Sequence, residues 1–368
     1  MAQNDTSSRL EGIDLARFIS LLGMILINFS IFAGMSETKP SIIASIINAF
    51  EGKAAATFVT LAAIGLSLLV CGLAQAEATS VLLKRVLFLL VVGHLHLMIF
   101  DADIIHYYAF YFLFGFFFLR APTSLLIAVI INLLLLFVVL AVFFDYDWGW
   151  DWENLTYGEL WSGWGFISHL FFNGWHPIIP WFSFFLFGLV LGRMPLQNRK
   201  TQLLLTSIGL VMLIIIKALS LYVVNLTADI LKQGEMAILF STSPIPPSPF
   251  FILTGISAAS LVIGLSLILA QTMVQWGWGR FLLFLTRPGR QTLTIYLAHA
   301  IIGIPLIEAL STINLEPITV AVIAAIIYAG VAVILANLWS IYFQQGPVET
   351  VMRYLTGPHR AASTPKPL

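Results

Sequence analysis

Ten long apolar segments, separated by short polar ones, divide this sequence. They cover residues 15–34, 54–76, 84–100, 104–119, 122–144, 178–193, 202–226, 249–274, 290–309 and 317–343. Most are long enough for an α-helix to cross a hydrocarbon core of about 30 Å. Only 10% of the residues are charged and 59% are hydrophobic, whereas about a quarter of a soluble domain is charged. The sequence therefore predicts an all-α, polytopic membrane bundle of about ten transmembrane helices. The third and fourth are short and form either a helical hairpin or one broken element.

The distribution of charge predicts the orientation of this bundle. Of the 18 lysines and arginines, fourteen fall on the side of the N-terminus, and thirteen of the 18 acids fall on the other side. Because short cytoplasmic loops are rich in lysine and arginine, both termini are predicted to be cytoplasmic. The first segment follows several acids and precedes no small-residue cleavage site, so it is predicted to remain as a membrane anchor.

One long outer loop, residues 145–177, divides the single membrane domain 1–368 into two parts. A five-helix half (1–144) precedes it, and a second half (178–368) follows and ends in a cytoplasmic tail. Residues 145–181 contain seven of the ten tryptophans. They indicate either an aromatic belt on an interfacial segment or a stacking platform for a sugar or another flat substrate.

Three of the predicted helices carry polar side chains into the membrane. Such groups are costly in lipid, and they usually face a bundle interior or a water-filled cavity. The helical repeat of 3.6 residues places the members of each set on one face. The three faces comprise Asp14, Arg17 and Asn28; Arg85, His96 and Asp103; and Thr292, Tyr296 and His299.

The helical rise predicts the depth of these groups. His96 should lie about 16 Å above Arg85, and His299 about 14 Å above Arg290, so both imidazoles are expected near the middle of the bilayer. The remaining polar groups are assigned to two rims. The outer rim comprises Asp101, Asp103, His106 and Tyr108, and the inner rim comprises Lys84, Arg85, Arg287 and Arg290.

A metal site is not expected in the histidine-rich stretch HLHLMIFDADIIHYY, residues 94–108. His94 and His96 are two residues apart and point roughly 200° away from each other, unlike the i,i+4 pair of a helical zinc site. The single cysteine, Cys71, excludes a CxxC motif. We expect His94 to be a packed histidine with one local hydrogen bond.

Four motifs follow one another over residues 9–356: RLEGIDLARFISLLGMILINF, GHLH with DADIIHYYA, GRQTLTIYLAHA and GPVETVMRYLT. Together they resemble the YeiB-like family of bacterial inner-membrane proteins. Phe18 stands where that family usually has glycine, Ile105 replaces leucine, and Asp101 is an added acid. The matching residues are Arg9, Asp14, Arg17, Asn28, Gly93, His96, Asp103, Ile104, Tyr108, Ala109, Gly289, Arg290, Leu293, Thr294, Tyr296, Gly346, Pro347, Glu349 and Arg353.

This family is similar to the transmembrane acyltransferases that include the heparan-alpha-glucosaminide N-acetyltransferases. The resemblance implies transfer of an acetyl group from cytosolic acetyl-CoA to an acceptor across the membrane. It also implies a multi-pass protein of the bacterial inner membrane. Those enzymes place their catalytic histidine in the outer loop after the first helix, and residues 35–53 contain no histidine. That role is therefore carried to no residue here.

Acyl transfer across the membrane is accordingly the leading hypothesis. The inner rim, with Arg17 and Asp14, would hold the phosphates of acyl-CoA. His96 or His299 would act as general base or accept the acyl group transiently. Asn28 and Tyr296 would stabilise the oxyanion, and Asp103 would orient an imidazole or the acceptor, for example a glycan.

The alternative is a proton-coupled transporter or permease for a small solute. In it, the same histidines and Asp103 would carry protons along the three polar faces. It is less favoured because glycine- or proline-broken helices in matching positions of the two halves, which are typical of transporters, are missing. The sequence indicates the lipid bilayer as a partner and gives no sign of nucleic acid.

Overall fold

The computed structural model describes residues 10–34, 42–230 and 239–357 and is almost entirely helical within them. Arg9, Lys39, Lys232, Arg360 and Lys366, which contribute to the charge distribution above, lie outside these ranges. The helices are α1 (Glu11–Phe32), α2 (Ile42–Phe50), α3 (Lys53–Val70), α4 (Gln75–Leu97), α5 (Ile105–Phe118), α6 (Thr123–Phe143), α7 (Gly163–Ser168), α8 (Ile178–Leu191), α9 (Arg199–Ile230), α10 (Pro249–Gln275), α11 (Gly279–Gly289), α12 (Thr292–Ser311), α13 (Pro317–Trp339) and α14 (Pro347–Thr356).

Helices of the described ranges occupy all ten of the predicted apolar segments. Eight, counting α2 and α3 together, are long and apolar enough to cross a membrane. A ninth span forms if Gly163–Asn173 and Ile178–Leu191, which are bent by 50° at a short break, are one element. The apolar helix α5 is shorter. The all-α, multi-pass architecture predicted from the sequence is therefore confirmed.

The predicted start of the third segment is wrong, because α4 begins at Gln75 rather than at residue 84 and has 23 residues. Its first turns, QAEATSVLLK, are polar but contain strong helix formers, so hydrophobicity alone misses them. The helix then ends at Leu97, and α5 packs back along it. Of the two arrangements expected for this region, the structure has the hairpin.

Gly93 allows the two helices of this hairpin to touch. A Cβ atom at Gly93 would lie 2.4 Å from the backbone nitrogen of His106, so a larger residue would force α5 away from α4. At the start of α5, the side chain of Asp103 accepts a hydrogen bond from that same nitrogen at 2.9 Å. The hairpin thereby brings Asp103 back to the level of His96.

Helix α1 joins the two predicted halves of the chain. It packs against α3 from the first half and against α10, α11, α12 and α13 from the second. One hydrophobic core includes buried residues from Leu21 to Ala336. The polar face of α1 is therefore surrounded by helices from both halves.

The outer segment 144–177 folds over the end of this bundle. It contains the antiparallel strands β1 (Trp150–Asp151) and β2 (Thr156–Tyr157), then α7 and a π-helical turn, His169–Asn173. The amide of Asn173 donates to the carbonyls of Tyr146 and Trp148 and accepts from the hydroxyls of Tyr157 and Ser168. These four hydrogen bonds hold the segment together.

Four tryptophans of this region differ strongly in their exposure. Trp161 and Trp164 are about two-thirds exposed, at 66% and 64%, whereas Trp175 and Trp181 are buried at 8% and 1%. Exposed and buried tryptophans thus occur together in this region.

Candidate functional site

Six of the seven histidines lie in the described ranges, and all six gather around Asp103. The imidazoles of His96 and His106 both bond to the Asp103 carboxylate. The other four pack near these two through ring contacts, measured between ring centres: His94 to His106 (6.0 Å), His169 to His106 (6.3 Å), His299 to His96 (6.1 Å), and His176 to Tyr107 (5.8 Å). Residues far apart in the sequence thus form one buried polar cluster.

Asp103 fixes the tautomers of two histidines. Its Oδ1 accepts from His96 Nδ1 at 2.8 Å, and its Oδ2 accepts from His106 Nδ1 at 2.9 Å. An ionised carboxylate only accepts hydrogen bonds, so both Nδ1 atoms carry the proton and both Nε2 atoms present a lone pair. Neither buried Nε2 has a hydrogen-bond partner in the described structure. Each imidazole can therefore accept a proton.

His299 differs from His96 in what its Nε2 atom contacts. Its Nδ1 donates to the backbone carbonyl of Tyr296, so Nε2 is again the acceptor of the neutral ring. Here, however, the amide of Asn28 lies 2.9 Å from Nε2 and donates to it. The lone pair of His299 is occupied, whereas that of His96 is not.

Tyr296 lies between two interior cavities. The inner cavity, about 140 Å³, is bordered by Arg17, Arg85, Tyr108, Met352 and Tyr296. The outer cavity, about 60 Å³, is bordered by Asn28, Glu51, Trp175, His176, Trp181 and Tyr296. The ring of Tyr296 also packs against His96 and His299, at 5.6 and 4.6 Å between ring centres. The two cavities thus meet at one phenol beside two imidazoles.

Asp103, His106 and Tyr108 were predicted to lie at an outer mouth, and the structure places them elsewhere. Asp103 and His106 are fully buried, and Tyr108 borders the inner cavity. The reason is the outer segment, which covers the start of α5: the hydroxyl of Tyr107 bonds to His169 Nδ1 at 3.0 Å. Of the predicted mouth residues, Asp101 is at the surface, where desolvation by the surrounding protein raises the pKa of its carboxyl group.

The inner arginines also differ from the predicted phosphate-binding rim. Arg290 pairs with Glu11 and, at 3.2 Å, with Asp14, which also binds Arg17 at 3.0 Å. The ion pairs of Arg290 form because Gly289 lets the end of α11 lie against α1: a Cβ atom there would be 1.9 Å from the Asp14 carbonyl oxygen. Arg290 is therefore neutralised by carboxylates.

The other members of the inner rim have different surroundings. Arg287 donates to the Asn337 side chain at 3.3 Å. Lys84 is half-buried on α4. Arg85 borders the inner cavity, and its buried Nε atom has no hydrogen-bond partner among the residues described. Arg85 is thus the member of the predicted rim that faces the cavity without a carboxylate.

Sequence reasoning missed His169, His176 and Glu51 as parts of this cluster and its cavities. The signal for the first two was the presence of two histidines within a tryptophan-rich loop. His94, in contrast, makes the local hydrogen bond that was expected, to the Leu90 carbonyl at 2.8 Å. Within residues 10–34, 42–230 and 239–357, no group of three or more histidines, cysteines and acids is arranged to hold a metal ion.

Two family models match the sequence. One, described as "heparan-alpha-glucosaminide N-acetyltransferase, catalytic", matches residues 9–226, which is more than half of the chain. The other, described as "protein of unknown function (DUF418)", matches residues 191–358. Comparisons with curated proteins and with solved structures gave no match.

The cluster is built from both matched regions. Asn28, His96 and Asp103 lie in the first, and Tyr296 and His299 lie in the second. The resemblance seen in the sequence motifs is thereby confirmed over nearly the whole length. The chain belongs to the YeiB-like family of multi-pass membrane proteins, which is related to the heparan-alpha-glucosaminide N-acetyltransferases.

Proposed function

We propose that this protein transfers an acyl group, such as acetyl, from cytosolic acyl-CoA to an extracytoplasmic acceptor such as a glycan, in the bacterial inner membrane. The observation that carries the proposal is the position of Tyr296 between the two cavities. A thioester in the inner cavity and an acceptor in the outer cavity would meet at this side chain. Holding two reactants in contact is itself a large part of catalysis.

The inner cavity supports the donor side of this reaction. Much of its lining is apolar, with Phe58, Leu61, Leu89 and Phe112 around it, and Arg85 is its cationic group without a carboxylate. A narrow apolar space suits the thin pantetheine arm and its acyl group better than the bulky nucleotide. The arm would extend from the cytoplasmic side toward Tyr296.

His96 is the better supported general base. Its Nε2 lone pair lacks a partner in the described structure, and Asp103 holds its Nδ1 proton. In the proposed step, a hydroxyl or amine of the acceptor attacks the thioester carbon and its proton passes to His96 Nε2. Asp103 stabilises the imidazolium. When the carbon–sulfur bond breaks, the CoA thiolate leaves and takes that proton.

Two donors near Tyr296 could stabilise the tetrahedral oxyanion. The Tyr296 hydroxyl has a proton to donate, and its oxygen accepts from the backbone nitrogen of Ile104 at 3.4 Å. Asn28 uses one amide hydrogen on His299 and borders the outer cavity, so its second hydrogen is available there. Preorganised donors of this kind stabilise the charge that develops in the transition state.

A proton-coupled transporter is the second candidate. It is favoured by the continuous group of imidazoles around the buried Asp103, because titratable chains inside membranes often carry protons. In that case the two cavities would be two ends of a solute path through Tyr296. The reacting groups would be the same, but no covalent bond would form.

Transfer of radiolabel distinguishes the two candidates. Proteoliposomes containing the full chain are given labelled acetyl-CoA on the cytoplasmic side and a mixture of glycans and amines on the other. We expect label in the acceptor fraction together with release of CoA. His96→Gln should lower both by about a hundredfold to ten-thousandfold, and His94→Gln, a matched change at a half-buried ring, should not. No transfer, combined with solute uptake that follows a proton gradient, would replace the proposal with transport.

A further inference from the structure

Helix α14 covers part of the inner cavity at its cytoplasmic end. It packs against α4 and α12, and its Met352 borders the cavity beside Thr292 and Leu293. Three of its residues, Val351, Tyr354 and Leu355, are exposed on the other side. A helix near the end of the chain thus forms part of the wall around the proposed donor site.

Glu349 attaches α14 to the start of α12. Its carboxylate accepts hydrogen bonds from the backbone nitrogens of Leu293 (2.6 Å) and Thr294 (3.1 Å) and from the Thr294 hydroxyl (2.5 Å). An anion at a helix N-terminus binds otherwise unsatisfied amides and is stabilised by the helix dipole. Glu349 therefore forms its hydrogen bonds with α12, although Arg353 lies only one turn further along α14.

Arg353 and Arg85 are like charges on two helices that pack together. Arg85 borders the inner cavity, and the exposed Arg353 follows Met352, which borders the same cavity. The two guanidinium groups are near enough to repel each other. No carboxylate in the ranges that the structure describes forms an ion pair with either guanidinium. Two like charges near each other cost free energy unless an anion lies near both.

We propose that Arg85 and Arg353 together bind the phosphate groups of an organic polyphosphate at the cytoplasmic end of the inner cavity. Guanidinium groups bind phosphate oxygens in pairs, so two of them suit a diphosphate. Identification of this ligand as acyl-CoA rests on the proposed function. With its phosphates there, the remaining arm would extend through the cavity toward Tyr296, while α14 would supply half of the anion site.

This site also accounts for the different states of the inner arginines. Arg290 already binds Glu11 and Asp14, and Arg287 binds Asn337, so these groups serve to hold helices together. Arg85 at the cavity and Arg353 next to the cavity residue Met352 have no carboxylate partner among the described ion pairs. Glu349 forms its hydrogen bonds with the start of α12 instead.

Binding of three probes to the full-length protein in nanodiscs tests this proposal by calorimetry. The probes are acetyl-CoA, inorganic pyrophosphate and S-acetyl-pantetheine, which has the arm but no phosphate. Arg353→Gln and Arg85→Gln should each weaken acetyl-CoA and pyrophosphate binding by roughly tenfold or more, which is the value of a charged hydrogen bond. Binding of S-acetyl-pantetheine should change little in Arg353→Gln.

Two further variants serve as controls. Arg353→Lys keeps the charge but loses the planar fork, so its loss should be intermediate. Arg280→Gln removes an exposed arginine at the start of α11, where it borders neither cavity, and should bind all probes as the unchanged protein does.

The outcomes separate this site from the proposed function. Equal binding of acetyl-CoA by the unchanged protein and both glutamine variants would overturn the site and leave acyl transfer standing. Arginine-dependent binding of pyrophosphate without binding of acetyl-CoA would support the site and overturn acyl-CoA as donor. Failure of every phosphate probe to bind would overturn both.

Discussion

His96 and His299 occupy similar positions on two different helices, but their hydrogen bonds make them chemically unequal. Both rings pack on Tyr296, and their centres are 6.1 Å apart. His299 Nε2 accepts from Asn28, whereas His96 Nε2 has no partner in the described residues. The fold brings two imidazoles together, and their hydrogen-bond partners decide which one can take a proton.

The difference originates in the backbone around each ring. His299 lies within the continuous helix α12, so a carbonyl of its own helix accepts the hydrogen bond from its Nδ1, and α1 supplies Asn28. His96 lies at the end of α4, where the chain turns and brings back Asp103. A carboxylate stabilises the imidazolium that forms on proton transfer, which a neutral carbonyl does less well.

The largest expected effect follows from Asp103→Asn. The amide would have only one oxygen to accept from two Nδ1–H groups, so one imidazole must change its tautomer. If acyl transfer is the function, we expect a loss of about a thousandfold to ten-thousandfold in single-turnover transfer, as for tautomer reversal in a catalytic triad. Asp101→Asn, at the exposed neighbour, should leave transfer within about twofold, since surface changes are usually small. Retention of more than a tenth of the activity by Asp103→Asn would remove Asp103 from the mechanism.

The next effect compares the two histidines directly. His96→Gln removes the proposed base itself and should reduce transfer by about a hundredfold to ten-thousandfold, the usual contribution of a general base. His299→Gln removes a hydrogen bond to Asn28 and should cost roughly fivefold, equivalent to about 1 kcal/mol. Rates of label transfer and melting temperatures of both variants would be measured together, so that loss of folding is recognised. If His299→Gln proves the more damaging to transfer, the assignment of the base is reversed.

Gly93→Ala tests the hairpin of α4 and α5, which brings Asp103 to His96 and so makes His96 differ from His299. Its Cβ atom would lie 2.4 Å from the nitrogen of His106, and overpacking of this kind costs typically 1–3 kcal/mol. Thermal unfolding in detergent should show a lower melting temperature, together with reduced transfer as Asp103 moves away from His96. Gly330→Ala, in the exposed middle of α13 with nothing within 4 Å of the new Cβ atom, should not destabilise, because alanine is the better helix former. Equal melting temperatures for the two variants would contradict the close contact.

The fold could be predicted from the sequence because lipid imposes a simple pattern. The long apolar segments identified the membrane helices of the described ranges. Of the bent pair Gly163–Asn173 and Ile178–Leu191, they identified only the second member. The start of α4 was missed because its polar turns project beyond the apolar segment. The helical part of the outer segment, Gly163–Asn173, was missed because its aromatic and polar residues show no simple period.

The site could be predicted only in part. The helical repeat placed Asn28, His96 and His299 on inward faces, and the structure brings these three faces together. The helical repeat could not show that His106 turns inward, because that depends on the contact between Gly93 and α5. Nor could it show that Arg290 finds Glu11 and Asp14, since the choice of ion-pair partner depends on how α11 approaches α1.

The smallest expected effect concerns the outer segment, and it tests whether this cover contributes to the inequality of the two histidines. Tyr157→Phe removes the hydroxyl that donates to Asn173 at 3.1 Å, while the Ser168 hydroxyl still donates to the same oxygen. Loss of one such bond costs about 1 kcal/mol, so the melting temperature should fall slightly. Transfer should stay within about twofold, because the ring of Tyr157 still packs on His169 and a change of this kind leaves the hydrogen bonds of Asp103 in place. Tyr157→Phe could instead lower transfer as far as His96→Gln does. In that case the ability of His96 to act as base would depend on the outer segment as much as on Asp103. The hairpin alone would then not explain the difference between the two imidazoles.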